Sequence, residues 1–233
     1  MRETTTNPIS ARSIICDIFR RFRAPACLSL AVGFAAAALP VHAETWRLGA
    51  STGQWADTRL PYLPYNAITG QLSFNKSYLN SIVVSRHLVT RDLFVPGTRI
   101  GLSGARMELE GTASVHSGLQ SHLEATIGIM LRTRDIDLRS AGYLNFGWSN
   151  GFSYALSSPE YEYGRDGARG NDTVQLQYYM GFELEYAPPT WGDRVSLFAR
   201  LHHRSGVYGL ISPSKTGSNI IGAGIRVHLG SGW

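Results

Sequence analysis

Residues 173 to 187 read TVQLQYYMGFELEYA, and the residues on one parity are almost all apolar. That parity holds Val174, Leu176, Tyr178, Met180, Phe182, Leu184 and Tyr186; the other holds Gln175, Gln177, Tyr179, Gly181, Glu183 and Glu185. Successive side chains of a strand point to opposite faces, so this period makes a ribbon with one apolar and one polar face. Length is the stronger constraint. Globular strands run to about 5–6 residues, whereas a tilted strand that crosses a membrane needs ~9–11.

The pattern recurs. HLEATIGIMLR sets Leu123, Ala125, Ile127, Ile129 and Leu131 against His122, Glu124, Thr126, Gly128, Met130 and Arg132. ARMELEGTASVH sets Met107, Leu109, Gly111, Ala113 and Val115 against Arg106, Glu108, Glu110, Thr112, Ser114 and His116, and TWRLGASTGQW opens a further strand near Trp46. Rougher strands near 79–90 and 142–154, with 195–209 and 218–229, complete an expected set of eight. Gly- and Pro-rich stretches such as 164–171 and 188–193 separate them. Residues 60–80 are open between a loop, a plug and part of a strand.

The polar faces carry both signs of charge, including Arg106, Glu108, Glu124, Arg132, Glu183, Glu185, Arg200 and Arg226. In a soluble sandwich such a face meets water; in a small membrane barrel it fills the interior while the apolar face meets lipid. Strand length and aromatic residues near strand ends (Trp46, Trp55, Tyr143, Tyr186, Trp191) favour the barrel. The expected fold is all-β: an antiparallel transmembrane β-barrel of eight strands.

The first 43 residues read as a cleaved export signal. Arg12, Arg20, Arg21 and Arg23 precede an apolar run from Ala24 to Leu39, which ends in Val41-His42-Ala43. The expected division is a signal peptide over 1–43 and the barrel over 44–233. Cleavage removes Cys16 and Cys27, leaving a mature chain with no disulfide. It also removes five of the 22 basic and two of the 17 acidic residues, leaving 17 against 15. That near balance gives no case for nucleic-acid binding.

Counting back by twos from Trp233 gives Ser231, Leu229, Val227, Ile225, Ala223, Ile221 and Asn219. An alternating last strand that ends in an aromatic residue resembles the signature by which outer-membrane barrels are recognised for assembly. It implies the barrel assembly machinery as a partner and the bacterial outer membrane as the location.

One departure from the alternation carries the functional reading. His203 and Ser205 share the parity of Val195, Leu197, Ala199 and Leu201, which places an imidazole and a hydroxyl on the lipid-facing wall. Asn219 shares that wall on the next strand, across a short loop. His202 falls on the opposite parity and belongs to the interior.

Here the chain resembles the outer-membrane lipid A 3-O-deacylase family, whose eight-stranded barrel carries a lipid-facing His-x-Ser in the penultimate strand and a Glu in the last. The match is His203-Arg204-Ser205, and the specific resemblance covers the last 40 or so residues. It implies that Ser205 is the nucleophile and His203 its base. It further implies removal of a 3-hydroxyacyl chain from the lipid A of lipopolysaccharide, with no metal and no organic cofactor. Arg204 and Lys215 are expected to hold phosphate or core sugar.

The chain departs from that family in one respect: no Asp or Glu follows Asp193, and Asn219 stands where the acid is expected. Glu183 and Glu185 point inward by parity. The competing reading is a non-catalytic small outer-membrane barrel, structural, adhesive or partner-binding. In it His203 and Ser205 merely sit at headgroup depth, and Arg204 and Lys215 meet phosphates.

Other motifs are set aside. Gly147-Trp148-Ser149-Asn150-Gly151 fits a nucleophile elbow in letters, but no helical period follows it; its glycines are expected to make room inside the barrel or to mark a bulge. No His, Cys, Asp or Glu grouping has the sequence spacing of a metal site. His116 and His122 flank a turn and are expected as surface residues rather than metal ligands.

Overall fold

The computed structural model describes residues 46–229 apart from 95, 97, 99, 166, 167, 214 and 215. The expected export signal, Lys215 and Trp233 therefore lie outside the described residues.

The strands are β1 (Trp46–Ala56), β2 (Phe74–Phe94), β3 (Gly101–Gly118), β4 (Leu123–Arg132), β5 (Ile136–Asp137), β6 (Tyr143–Ala155), β7 (Leu176–Ala187), β8 (Val195–Ser205) and β9 (Gly217–His228). All neighbours are antiparallel. β4 pairs with β6 and β9 returns to pair with β1, so eight strands close a ring, with the two-residue β5 only lengthening the rim of β6. Closure leaves no sheet edge, as a spanning sheet requires when lipid offers its backbone no hydrogen bonds.

The alternation runs as the sequence requires. Along β4, Leu123, Ala125, Ile127 and Ile129 are exposed while Glu124, Thr126, Met130 and Arg132 are buried. Apolar residues outside and charged residues inside invert the plan of a soluble protein and match a transmembrane barrel. Trp46, Tyr143 and Trp191 are exposed aromatics at the end that bears the termini, and Tyr78 and Tyr154 mark the other end. Trp55 departs from that belt. It is inward-facing and packs with Leu79 and Ile220 inside the lumen.

The interior is filled by ion pairs. Arg47 pairs with Glu108 at 2.6 Å and with Glu185; Arg132 reaches Glu183 at 2.7 Å and Glu185 at 2.8 Å. Arg200 bridges Glu110 at 2.6 Å and Glu183 at 2.5 Å, while Arg226 holds Glu183 and Glu185, each at 2.5 Å. Gly147 makes room for this packing, since a Cβ there would sit 2.7 Å from Met130 Sδ and 3.3 Å from Arg132 Nη1.

The end opposite the termini is closed by the β6–β7 segment. Its Glu162 is buried and accepts from Arg204, Gln177 and Ser218 at 2.6, 2.8 and 2.8 Å. Arg169 lies over the rings of Trp55, Tyr161 and Tyr163 and is paired with Asp57. Residues 60–80, unassigned from sequence, form a 3-10 turn (Leu60–Tyr62), a short helix α1 (Leu63–Ile68) and the start of β2. The strand expected over 173–187 starts at Leu176; the carbonyls of Val174 and Gln175 accept from the side chains of Gln177 and Arg204, and Gln175 also from Ala155 N–H.

Two substitutions on opposite faces test this plan. Glu183→Gln leaves three arginines short of a counter-charge and should lower stability by about 3–5 kcal/mol. Ile127→Arg, mid-strand on the lipid face, should lower it by about 2–4 kcal/mol. Denaturant unfolding in lipid vesicles reads both; a neutral Glu183→Gln would mean the network contributes little.

Candidate active site

β8 carries two chemistries on its two faces. Ser196, His202 and Arg204 point into the lumen and are buried, whereas Leu197 is exposed on the outer wall and Leu201, His203 and Ser205 on that wall are half-buried. The placement of His203 and Ser205 follows from parity alone; their partners follow from register.

In that register His203 lies opposite Asn219 of β9 on one side and Met180 of β7 on the other, and Met180 lies opposite Asn150 of β6. The His203 Nδ1 to Asn219 Oδ1 distance is 2.6 Å. The orientation of the amide is settled by its other end, because Asn219 Nδ2 donates to the Thr58 carbonyl at 2.7 Å. A carbonyl can only accept, so Nδ2 faces Thr58 and Oδ1 faces the imidazole. His203 therefore donates from Nδ1–H, and its Nε2 keeps a bare lone pair. That is the tautomer a general base needs.

Ser205 stands on the same face two residues on, roughly 7 Å along the strand. Among the described residues its Oγ accepts from Val207 N–H at 3.1 Å and makes no hydrogen bond with His203. Val207 is held in the left-handed region at φ +48°, unfavourable for a β-branched residue. The 206–212 turn that imposes it is tied through the Gly206 carbonyl, which accepts from the amides of Gly209, Ile211 and Ser212. Strain of this kind collects next to functional groups.

The outer wall holds two polar residues that sequence reasoning missed. Tyr178 lies opposite Ser205, and its hydroxyl donates to Asn150 Oδ1 at 2.7 Å. Asn150 shares the outward parity of Trp148 and Phe152, so the rule that found His203 also marks it. Ser149 itself is buried mid-strand and faces the lumen, with no turn and no helix to expose it. Beside this row an apolar groove of about 500 Å³ runs along the wall, lined by Phe146, Trp148, Phe182, Leu184, Ala199 and Leu201.

Three expectations need correction or restriction. Arg204 does not reach lipid phosphates: it alternates to the inside, is fully buried and is consumed by Glu162. Lys215 lies outside the described residues. His116 and His122 are not at the surface but buried in the lumen, where their rings stack 4.0 Å apart; both share the inward parity of Glu124. Glu183 and Glu185 point inward, as parity requires.

No protein-family model matches the chain, and no curated protein does. Among solved structures it is similar to Neisserial surface protein A (NspA), at 14% identity over 80% of this chain and 99% of that one, with a TM-score of 0.45.

The amide-fixed tautomer has a direct readout. Nitrogen NMR of the histidine rings should show His203 protonated at Nδ1 and bare at Nε2, and Asn219→Ala should release it to a tautomer mixture. A wild-type ring protonated at Nε2 would overturn the assignment.

Proposed function

We propose that the protein is an outer-membrane esterase that removes a 3-hydroxyacyl chain from lipid A, working from the outside of the barrel wall. The observation that carries this reading is the His203–Asn219 pair: a lipid-facing imidazole with its Nε2 bare, two residues from a serine on the same face. A substrate that is itself part of the membrane reaches such a site laterally. The adjoining apolar groove is suited to an acyl chain.

In this mechanism Ser205 turns from Val207 N–H toward His203 Nε2. Its Oγ attacks the ester carbonyl as His203 takes the hydroxyl proton. The tetrahedral intermediate then expels the sugar oxygen, which receives that proton from His203, and an acyl-serine remains. Water activated by the same imidazole cleaves the acyl-serine and restores Ser205. Asn219 orients the ring through its amide oxygen but does not neutralise the imidazolium as a carboxylate does. In a serine triad the loss of the acid costs about 10⁴ in rate, so turnover is expected to be slow. Arg204 has no part in the step.

A second reading is favoured by the hydrogen bond of Ser205 to Val207: a non-catalytic small barrel in which the two polar side chains are interfacial. The packed lumen argues against a general diffusion pore under either reading.

Mass spectrometry of lipid A from cells expressing variants separates the two. Wild type should remove one hydroxyacyl mass, Ser205→Ala none, and Asn219→Asp should act faster than wild type by restoring a carboxylate. Intact lipid A with wild type and with Asn219→Asp, in membranes and in detergent extract, would sink the esterase and leave the structural barrel.

A further inference from the structure

Behind the lipid-facing wall, at the lumen end opposite the termini, lies a second cluster that the esterase chemistry does not use. It consists of His116 at the end of β3, His122 in the β3–β4 turn and Glu124 at the start of β4. All three are buried, and one ligand atom from each lies within 4.8 Å of the others.

Each of the three has the surroundings of a metal ligand. Neither ring nitrogen of His122 has a hydrogen-bond partner among the described residues, although the side chain is only 7% exposed. A buried imidazole with two idle nitrogens is costly unless something else takes up a lone pair.

Both oxygens of Glu124 are engaged, Oε1 by groups outside the cluster and Oε2 by His116 alone. His202 Nε2 and Ser153 Oγ both bond its Oε1, at 2.8 and 2.7 Å, while its Oε2 faces His116 Nε2 at 2.7 Å. His116 Nδ1 is 2.8 Å from the Gln120 amide, whose Oε1 is otherwise buried without a partner. With that amide turned over, Gln120 accepts from His116 Nδ1–H, and Nε2 is left to bind an ion. Groups that hold the far side of each ligand in this way are what orient metal ligands.

We propose that His116 Nε2, Glu124 Oε2 and one ring nitrogen of His122 bind a divalent cation of the zinc class, with a fourth position open. Two imidazoles and one carboxylate suit a tetrahedral ion of borderline softness. Zinc–ligand bonds of about 2.0–2.2 Å require the three atoms to close to roughly 3.3 Å of one another. The His122 ring, held by stacking on His116 and by no side-chain hydrogen bond among the described residues, has to tilt out of that stack to do so. The ion takes the place of the single proton between His116 Nε2 and Glu124 Oε2, and that proton moves to His116 Nδ1 as the Gln120 amide turns over. Arg204 does not oppose this with a free charge, because Glu162 neutralises it at 2.6 Å.

The test uses the full-length protein, chelator-treated and folded in detergent, with Co²⁺ as a visible probe and Zn²⁺ followed by calorimetry. Wild type should give the intense visible absorption of tetrahedral Co²⁺, displaced by Zn²⁺. His122→Ala should lose it while remaining a folded barrel, since among the described residues the His122 side chain makes no hydrogen bond and its backbone bond to His116 N–H is kept. Gln120→Ala should bind about 10–100-fold more weakly. Folded wild-type protein that takes up neither ion, or a His122→Ala variant that binds as tightly as wild type, would overturn the site.

Discussion

Everything else in this barrel depends on the buried arginine–glutamate network. Arg47, Arg132, Arg200 and Arg226 face Glu108, Glu110, Glu183 and Glu185, four charges of each sign, in a space that strand closure leaves at the centre of the sheet. Each charge taken from water costs several kcal/mol, and only close opposite charges offset that cost. Pairing is dense enough that Glu183 alone serves three arginines. Because the charges lie inside, the apolar parity must lie outside, and only a membrane makes that arrangement stable. Among the described residues the same network packs the middle of the lumen.

A filled lumen makes the outer wall and the two rims the places where function can sit. The wall carries the row Asn150, Met180, His203 and Asn219, with Tyr178 and Ser205 beside it. Polar side chains facing lipid are stabilised only by bonding one another, and most here do so: Tyr178 with Asn150, and His203 with Asn219, which is anchored in turn to Thr58. Ser205 is the member whose hydroxyl is bound only to backbone. That leaves it the most readily redirected group in the row.

The rim opposite the termini is built differently. Glu162 is drawn into the lumen by Arg204, Gln177 and Ser218, so the β6–β7 segment folds inward as a plug. Next to it the buried histidines gather around Glu124, with His202 holding the carboxylate from β8. His202 and His203 are consecutive, yet one serves the lumen cluster and the other the lipid face. A strand wall one residue thick separates two unrelated chemistries.

Much of this was legible in the amino-acid sequence because the side-chain period of a strand is two. That rule alone placed Glu183, Glu185 and His202 inside and His203, Ser205 and Asn219 outside, and strand length pointed to a membrane-spanning sheet. Applied without exception it would also have placed Arg204, His116 and His122 inside and marked Asn150 outside. Those misses came from setting parity aside for a motif or a turn. What parity cannot supply is the partner across the strand. That Asn219 meets His203, that Asn150 meets Tyr178, and that His116, His122 and Glu124 converge with His202 depend on cross-strand register and on closure of the ring. Both are set by contacts between residues far apart in the chain, so only the tertiary structure decides them.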